Sequence, residues 1–105
     1  MNENSSVARA FAALGHDARL SIYRLLVTAG PEGLTVGQIS CNLEMAASTL
    51  AHHLRTLVDA GLVTQSKQGR EVVSTANFNR MNHITEFLTE NCCTGVHASA
   101  KDTAA

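Results

Sequence analysis

Two sulfurs stand side by side in this chain, at Cys92 and Cys93, just past a stretch whose apolar residues recur at helical spacing. Adjacent thiols can close on one soft ion, because thiolates select thiophilic ions and the second bond of a chelate costs little further entropy. A disulfide between the two would be strained. Neighbouring Cα atoms sit ~3.8 Å apart across a trans peptide, whereas a disulfide wants ~4.4–6.8 Å. The pair therefore reads as a free dithiol in a reducing, cytoplasmic setting. It lies at the C-terminal end of a helix, with Glu86 and Glu90 in the preceding turns. Both features disfavour the thiolate until an ion displaces the protons, and an activated catalytic cysteine wants the opposite. The expectation is a binding site and not an enzyme. The third cysteine, Cys41, reads as a small buried apolar group on a short helix.

A second set of residues has the chemistry to read duplex DNA. Leu50, Leu54 and Leu57 make one stripe of a helix from about Ala47 to Ala60, leaving Ala47, Ser48, Thr49, Ala51 and His52 outward near its start. Ser48 and Thr49 can hydrogen-bond bases or phosphates, and the alanines allow close approach and can meet thymine methyls. His52 and His53 lie ~100° apart around the helix, so one can reach DNA while the other packs on the scaffold or meets a phosphate. Further on, Lys67, Gln68 and Arg70 surround Gly69 in a hairpin turn, suited to phosphate or minor-groove contact. The expected DNA-binding residues are Ala47, Ser48, Thr49, His52, His53, Lys67, Gln68 and Arg70. A solvated helix face and a solvated turn would carry the same residue types; the order of elements around them decides between the two readings.

That order is regular. Ser5 to Leu14 reads as an alanine-rich amphipathic helix, Asp17 to Ala29 as a second, and Gly30-Pro31-Glu32-Gly33 as a loop. Thr35 is placed to cap a two-turn helix over Val36, Ile39 and Leu43. About three residues later the helix from Ala47 begins, and Gly61 ends it, which is the layout of a helix-turn-helix. Ala46 stands where a capping side chain is expected, forfeiting about 1 kcal/mol. Leu62 to Lys67 and Glu71 to Thr75 form a β-hairpin. Asn77 caps a last helix reaching about Asn91, with Phe78, Met81, Ile84, Phe87 and Leu88 on its apolar side. The fold class is mainly α with a β-hairpin wing: a winged helix-turn-helix over residues 1–95 with an extra helix at each end, followed by a flexible tail over 96–105.

Composition is consistent with this. The chain has 105 residues, 45% hydrophobic, 16% charged, with net charge −1. That argues for one folded domain, against disorder, and against a grossly basic nucleic-acid coat. No apolar run approaches the ~18 residues of a membrane helix, and the first residues show no secretion signal, so no membrane partner is expected. More apolar residues lie on the first helix (Val7, Phe11) and the last than one small core can hide, which points to a homodimer.

The stretch Ala13-Leu14-Gly15-His16-Asp17-Ala18-Arg19-Leu20-Ser21-Ile22 resembles the opening of the ArsR/SmtB family. So does Ser48 to Leu57, with Ala60-Gly61-Leu62-Val63 and the wing Gln68-Gly69-Arg70 behind it. The resemblance spans about residues 7 to 95. It implies a homodimeric winged-helix repressor that binds a palindromic DNA operator and releases it when an inducer binds. The family's short-helix cysteine site has no counterpart, because Thr35 and Gly37 stand at its positions. The last-helix zinc site has none either, with only His83 there. Glu90-Asn91-Cys92-Cys93 is similar to a subgroup whose members look like arsenite-responsive repressors. The implied inducer is trivalent arsenic or antimony, As(III) or Sb(III), held by Cys92 and Cys93. Some relatives carry a third cysteine just downstream and this chain does not, leaving His97, Cys41, a small thiol or water as the remaining donor. The alternatives are the same fold sensing a thiol oxidant, persulfide or another soft metal, a winged helix used only for protein interaction, and a small thiol oxidoreductase.

Overall fold

A computed structural model of the chain describes residues 2–96. Helix α1 (Glu3–Leu14) is capped by the Asn2 side chain, which accepts from the Ser5 amide at 2.8 Å. It therefore starts two residues earlier than the apolar pattern predicts. Helix α2 (Asp17–Ala29) follows after Gly15 and His16, and the His16 ring accepts from the Ala18 amide at 3.1 Å. A histidine with no role expected from sequence is thus the cap that starts α2.

The loop predicted at Gly30–Gly33 is a single 3-10 turn over Gly30–Glu32, and it leads into a strand. Leu34–Thr35 form β1, and Thr35 then caps α3 (Val36–Leu43) with a reciprocal pair of bonds to Gln38. After α4 (Ala47–Asp59), strands β2 (Val63–Gln68) and β3 (Glu71–Ala76) make the hairpin, and α5 (Phe78–Thr89) closes the order. The sheet has three antiparallel strands in the order β1-β3-β2. Leu34 pairs with Ser74 and Thr35 with Val73, while β2 and β3 run in register from Val63↔Ala76 to Gln68↔Glu71. The sequence reading had two strands; β1 is too short to show period two, and only its partner defines it. β2 is an edge strand, and past Val63 all its side chains face water.

Ala10, Ile22, Leu26, Ile39, Leu50, Leu57, Leu62 and Ile84 are fully buried, so one core draws on all five helices and the β2 entry. Val7 and Ile84 belong to it. That corrects their expected place on a dimer face, since they are already covered within one chain. Phe11 (42% exposed) and Leu88 (59%) are not covered, and Phe78, Met81 and Phe87 are half-buried. Two polar contacts tie α5 to α1: Arg80 Nη2 donates to Ser6 Oγ at 2.5 Å, and His83 meets the Glu3 carboxylate. Among the described residues no helix is long and apolar enough to cross a membrane.

Candidate nucleic-acid interface and dithiol

The turn between α3 and α4 is built by Glu44, Met45 and Ala46. Glu44 is left-handed (φ 52°), the Met45 amide donates to the Ser40 carbonyl at 3.1 Å, and Ser40 Oγ donates to the Met45 carbonyl at 2.5 Å. Ala46 caps α4 with its backbone alone, as the sequence implied. Leu50, His53, Leu54 and Leu57 turn inward, leaving Ala47, Ser48, Thr49, Ala51, His52 and Arg55 on the open face. The first turn of α4 therefore presents small and hydroxyl side chains with no acid among them. The hairpin tip carries Lys67, Gln68 and Arg70, all exposed, with Gly69 left-handed at the turn.

Of the eight residues expected to face DNA, seven are exposed and His53 is not. It is only 8% exposed. Its ring lies 4.8 Å from that of His16, and its Nδ1 is 3.5 Å from Arg19 Nη1. The reason is helical geometry: position 53 follows Leu50 by three residues and precedes Leu57 by four, which puts it on the buried stripe. Arg19 carried no expected site role. It donates Nε to the Ala13 carbonyl at 2.6 Å while reaching His53. Burial, followed by the nearby positive groups of His16, Arg19 and His52, pushes the His53 imidazolium down from its ordinary range.

At the other end of the chain, α5 stops at Thr89, two residues short of the expected end. Glu90 leaves the helix in an extended conformation, and Asn91 (φ 62°) and Cys93 (φ 65°) are both left-handed. The Cys92 amide donates to the Thr89 carbonyl at 3.0 Å, and the Thr94 amide to that of Asn91 at 3.2 Å. This tight turn brings the two sulfurs to 3.1 Å, well beyond the ~2.05 Å of a bond. Both thiols are exposed, and the hydrogen bond to Cys93 pushes the Cys92 thiol up. Among the described residues no group of three His, Cys, Asp or Glu is placed to hold a metal. His97 lies outside the described residues, as does the expected tail past Val96. Cys41 is exposed and not buried, contrary to expectation, because it falls on the outer face of α3.

Residues 14–66 match a helix-turn-helix domain family. The chain is 35% identical over 82 residues to an uncharacterized HTH-type transcriptional regulator, YceK of Bacillus subtilis, covering 77% of this chain and 81% of that one. A solved ArsR-like transcriptional regulator from Rhodococcus superposes with a TM-score of 0.72 at 28% identity, over 81% of this chain and 77% of that one. The chain belongs to the ArsR/SmtB family of winged-helix transcriptional regulators. It is also 41% identical over 59 residues to a putative arsenical resistance operon repressor, ArsR of Halobacterium salinarum, covering 56% of this chain and 45% of that protein. These ArsR-type relatives are DNA-binding regulators and not enzymes, and so is this chain. In an ArsR/SmtB winged helix α4 is the second helix of the helix-turn-helix, the one that enters the major groove, and the β2–β3 hairpin is the wing.

Proposed function

We propose that the chain is a homodimeric repressor of a palindromic operator, and that it leaves DNA when trivalent arsenic or antimony is captured by Cys92 and Cys93. The observation that carries this reading is the pair of exposed, unbonded sulfurs held 3.1 Å apart at the end of α5. Similarity to the Halobacterium protein supports the arsenical signal. Ala47, Ser48, Thr49 and His52 meet the groove, and Lys67, Gln68 and Arg70 meet phosphates or the minor groove. Phe11 on α1 and Leu88 on α5, with the half-buried Phe78, Met81 and Phe87, supply the face for a second copy. Pairing through α1 and α5 sets the distance between two reading helices, which must fall about one DNA turn apart.

Capture replaces two hydroxyls of the arsenous or antimonous acid by the two sulfurs, the thiol protons leaving with those hydroxyls as two waters, and reshapes the turn after Thr89, beside Leu88 on the dimer face. Moving a regulator from 99:1 bound to 1:99 takes ~5.5 kcal/mol of differential affinity, here shared by two copies of the site. A thiol oxidant is the alternative signal for the same pair of exposed sulfurs. The test is a gel-shift titration on the DNA upstream of its own coding sequence. Wild-type protein should release the duplex as arsenite rises, and Cys92→Ser/Cys93→Ser should bind equally well and stay bound. Release of the double variant at the same arsenite level refutes the site. Release by peroxide but not arsenite assigns the signal to an oxidant.

A further inference from the structure

The reading helix has one polar residue on its buried side, and it is held from both flanks. Arg19 Nη1 sits 3.5 Å from His53 Nδ1, and the His16 ring packs at 4.8 Å and 48°. Arg19 is itself fixed by the carbonyl of Ala13, near the end of α1. A guanidinium only donates, so as a long hydrogen bond this contact has Nδ1 of His53 accepting and the ring proton on Nε2. The contact thus exists only with neutral His53. Protonation would place an N–H against Arg19's N–H and a cation against a cation. We propose that His53 is a positioning residue for DNA binding: in contact with Arg19 and packed at a tilt against His16, it helps set the roll of α4 about its axis and so aims Ser48, Thr49 and His52. This rests on α4 being the groove-reading helix.

Several observations carry this further than ordinary packing. The other inward residues of α4 are leucines, whose stripe fixes which face turns inward, and His53 adds the one polar contact on that stripe. The Arg19 contact is directional, and it comes from the corner joining α1 to α2. His52 and His53 are neighbours with rings 5.6 Å apart, so a change in the roll of α4 at His53 is shared by His52 on the open face. The groups facing His53 are all basic: His16 and Arg19 from α2 and its cap, and His52 from α4; α1 contributes only the Ala13 carbonyl that holds Arg19. Asp59 lies across a cleft of about 350 Å³ that Arg9 and Arg19 also line, where Arg9 donates to the Asp59 carbonyl at 3.3 Å. Among the described residues no acid stands with the charged groups that act on His53, and burial further disfavours its charge.

The test compares wild type, His53→Asn and His53→Leu. Asparagine keeps a neutral acceptor near the Nδ1 position, and leucine keeps the volume without an acceptor. Binding to a duplex from the upstream region is read by fluorescence anisotropy from pH 7.5 to 5.5, with circular dichroism confirming the fold. At pH 7.5 His53→Asn should bind within a few fold of wild type. His53→Leu should bind about tenfold more weakly, the scale of one lost base-edge contact. On acidification the ratio of wild-type to His53→Asn affinity should fall; any effect of acid on the rest of the molecule is common to both and cancels. Equal affinity of His53→Leu and wild type, or a ratio that stays flat with pH, overturns the proposal. If His53→Leu does not fold, the ratio for His53→Asn decides alone. Wild-type protein that binds no duplex at pH 7.5 overturns the DNA-binding reading itself, and this inference with it.

Discussion

Replacing Gly33 by alanine should unfold this domain several degrees earlier than the same change at Gly30. The two glycines flank Pro31-Glu32 and share one backbone conformation, with φ 70°, ψ −170° at Gly33 and φ 78°, ψ −162° at Gly30. That region is essentially reserved for glycine, and a side chain there costs about 1–3 kcal/mol. The surroundings differ. A Cβ on Gly30 would meet nothing within 4 Å, whereas on Gly33 it would stand 2.4 Å from the Ser74 carbonyl oxygen, 2.6 Å from Thr75 Oγ1 and 2.9 Å from Val73 Cγ1. Ser74 O is backbone of the central strand and cannot rotate away, so β1 must separate from β3. Overpacking of this kind adds roughly 1–3 kcal/mol. Subtracting one variant from the other cancels the conformational cost and leaves the overlap. At about 4–8 °C per kcal/mol for a domain near this size, Gly33→Ala should melt at least ~4 °C below Gly30→Ala. Scanning calorimetry or thermal circular dichroism at one fixed protein concentration reads the difference, the concentration being fixed because a dimer's Tm depends on it. Equal Tm for the two variants would refute the packing of Gly33 beneath β3.

Three further outcomes are expected. Ala46→Ser supplies the missing cap, its Oγ within reach of the Thr49 amide, and should raise stability by about 1 kcal/mol in urea denaturation. Glu44→Gly relieves a left-handed backbone at the helix-turn-helix corner and should stabilise by roughly 0.5–1 kcal/mol, read as a higher urea midpoint with unchanged slope. The pH dependence follows from His53. Its proton affinity is depressed in the folded state, so the unfolded chain binds more protons once pH falls below the ordinary histidine value near ~6.5. The contribution is fully present above that value and is lost as pH drops through the folded pKa. Stability of wild type should therefore decline faster than that of His53→Asn between pH 6.5 and 5, and parallel curves would contradict it.

Much of the architecture is legible in the sequence because local rules and packing agree. Thr35, Asn77 and Gly61 stand where a cap or a stop is needed, and each does that work. What escapes is non-local or ambiguous by residue type. Leu34–Thr35 is a strand only because Val73 and Ser74 lie opposite, and two residues show no periodicity of their own. The first turn of α1 holds no apolar side chain, so only the Asn2 cap marks its start. At the site, the open face of α4 follows from its leucine spacing, but polarity argued His53 outward while spacing argued it inward. The interval 50, 53, 54, 57 is a buried stripe, and it was the signal to follow. Arg19 lies 34 residues from His53, and no local pattern links them.

The outer margin of β2 has a consequence for handling and for life in a crowded cell. Thr64, Gln65, Ser66, Lys67 and Gln68 all point to water along a strand with one unpaired edge. Such a margin offers an incoming polypeptide backbone partners but no dry surface, and a lysine sits where stacking would begin. Copies gathered closely along one stretch of chromosome therefore have little tendency to zip together into insoluble ribbons.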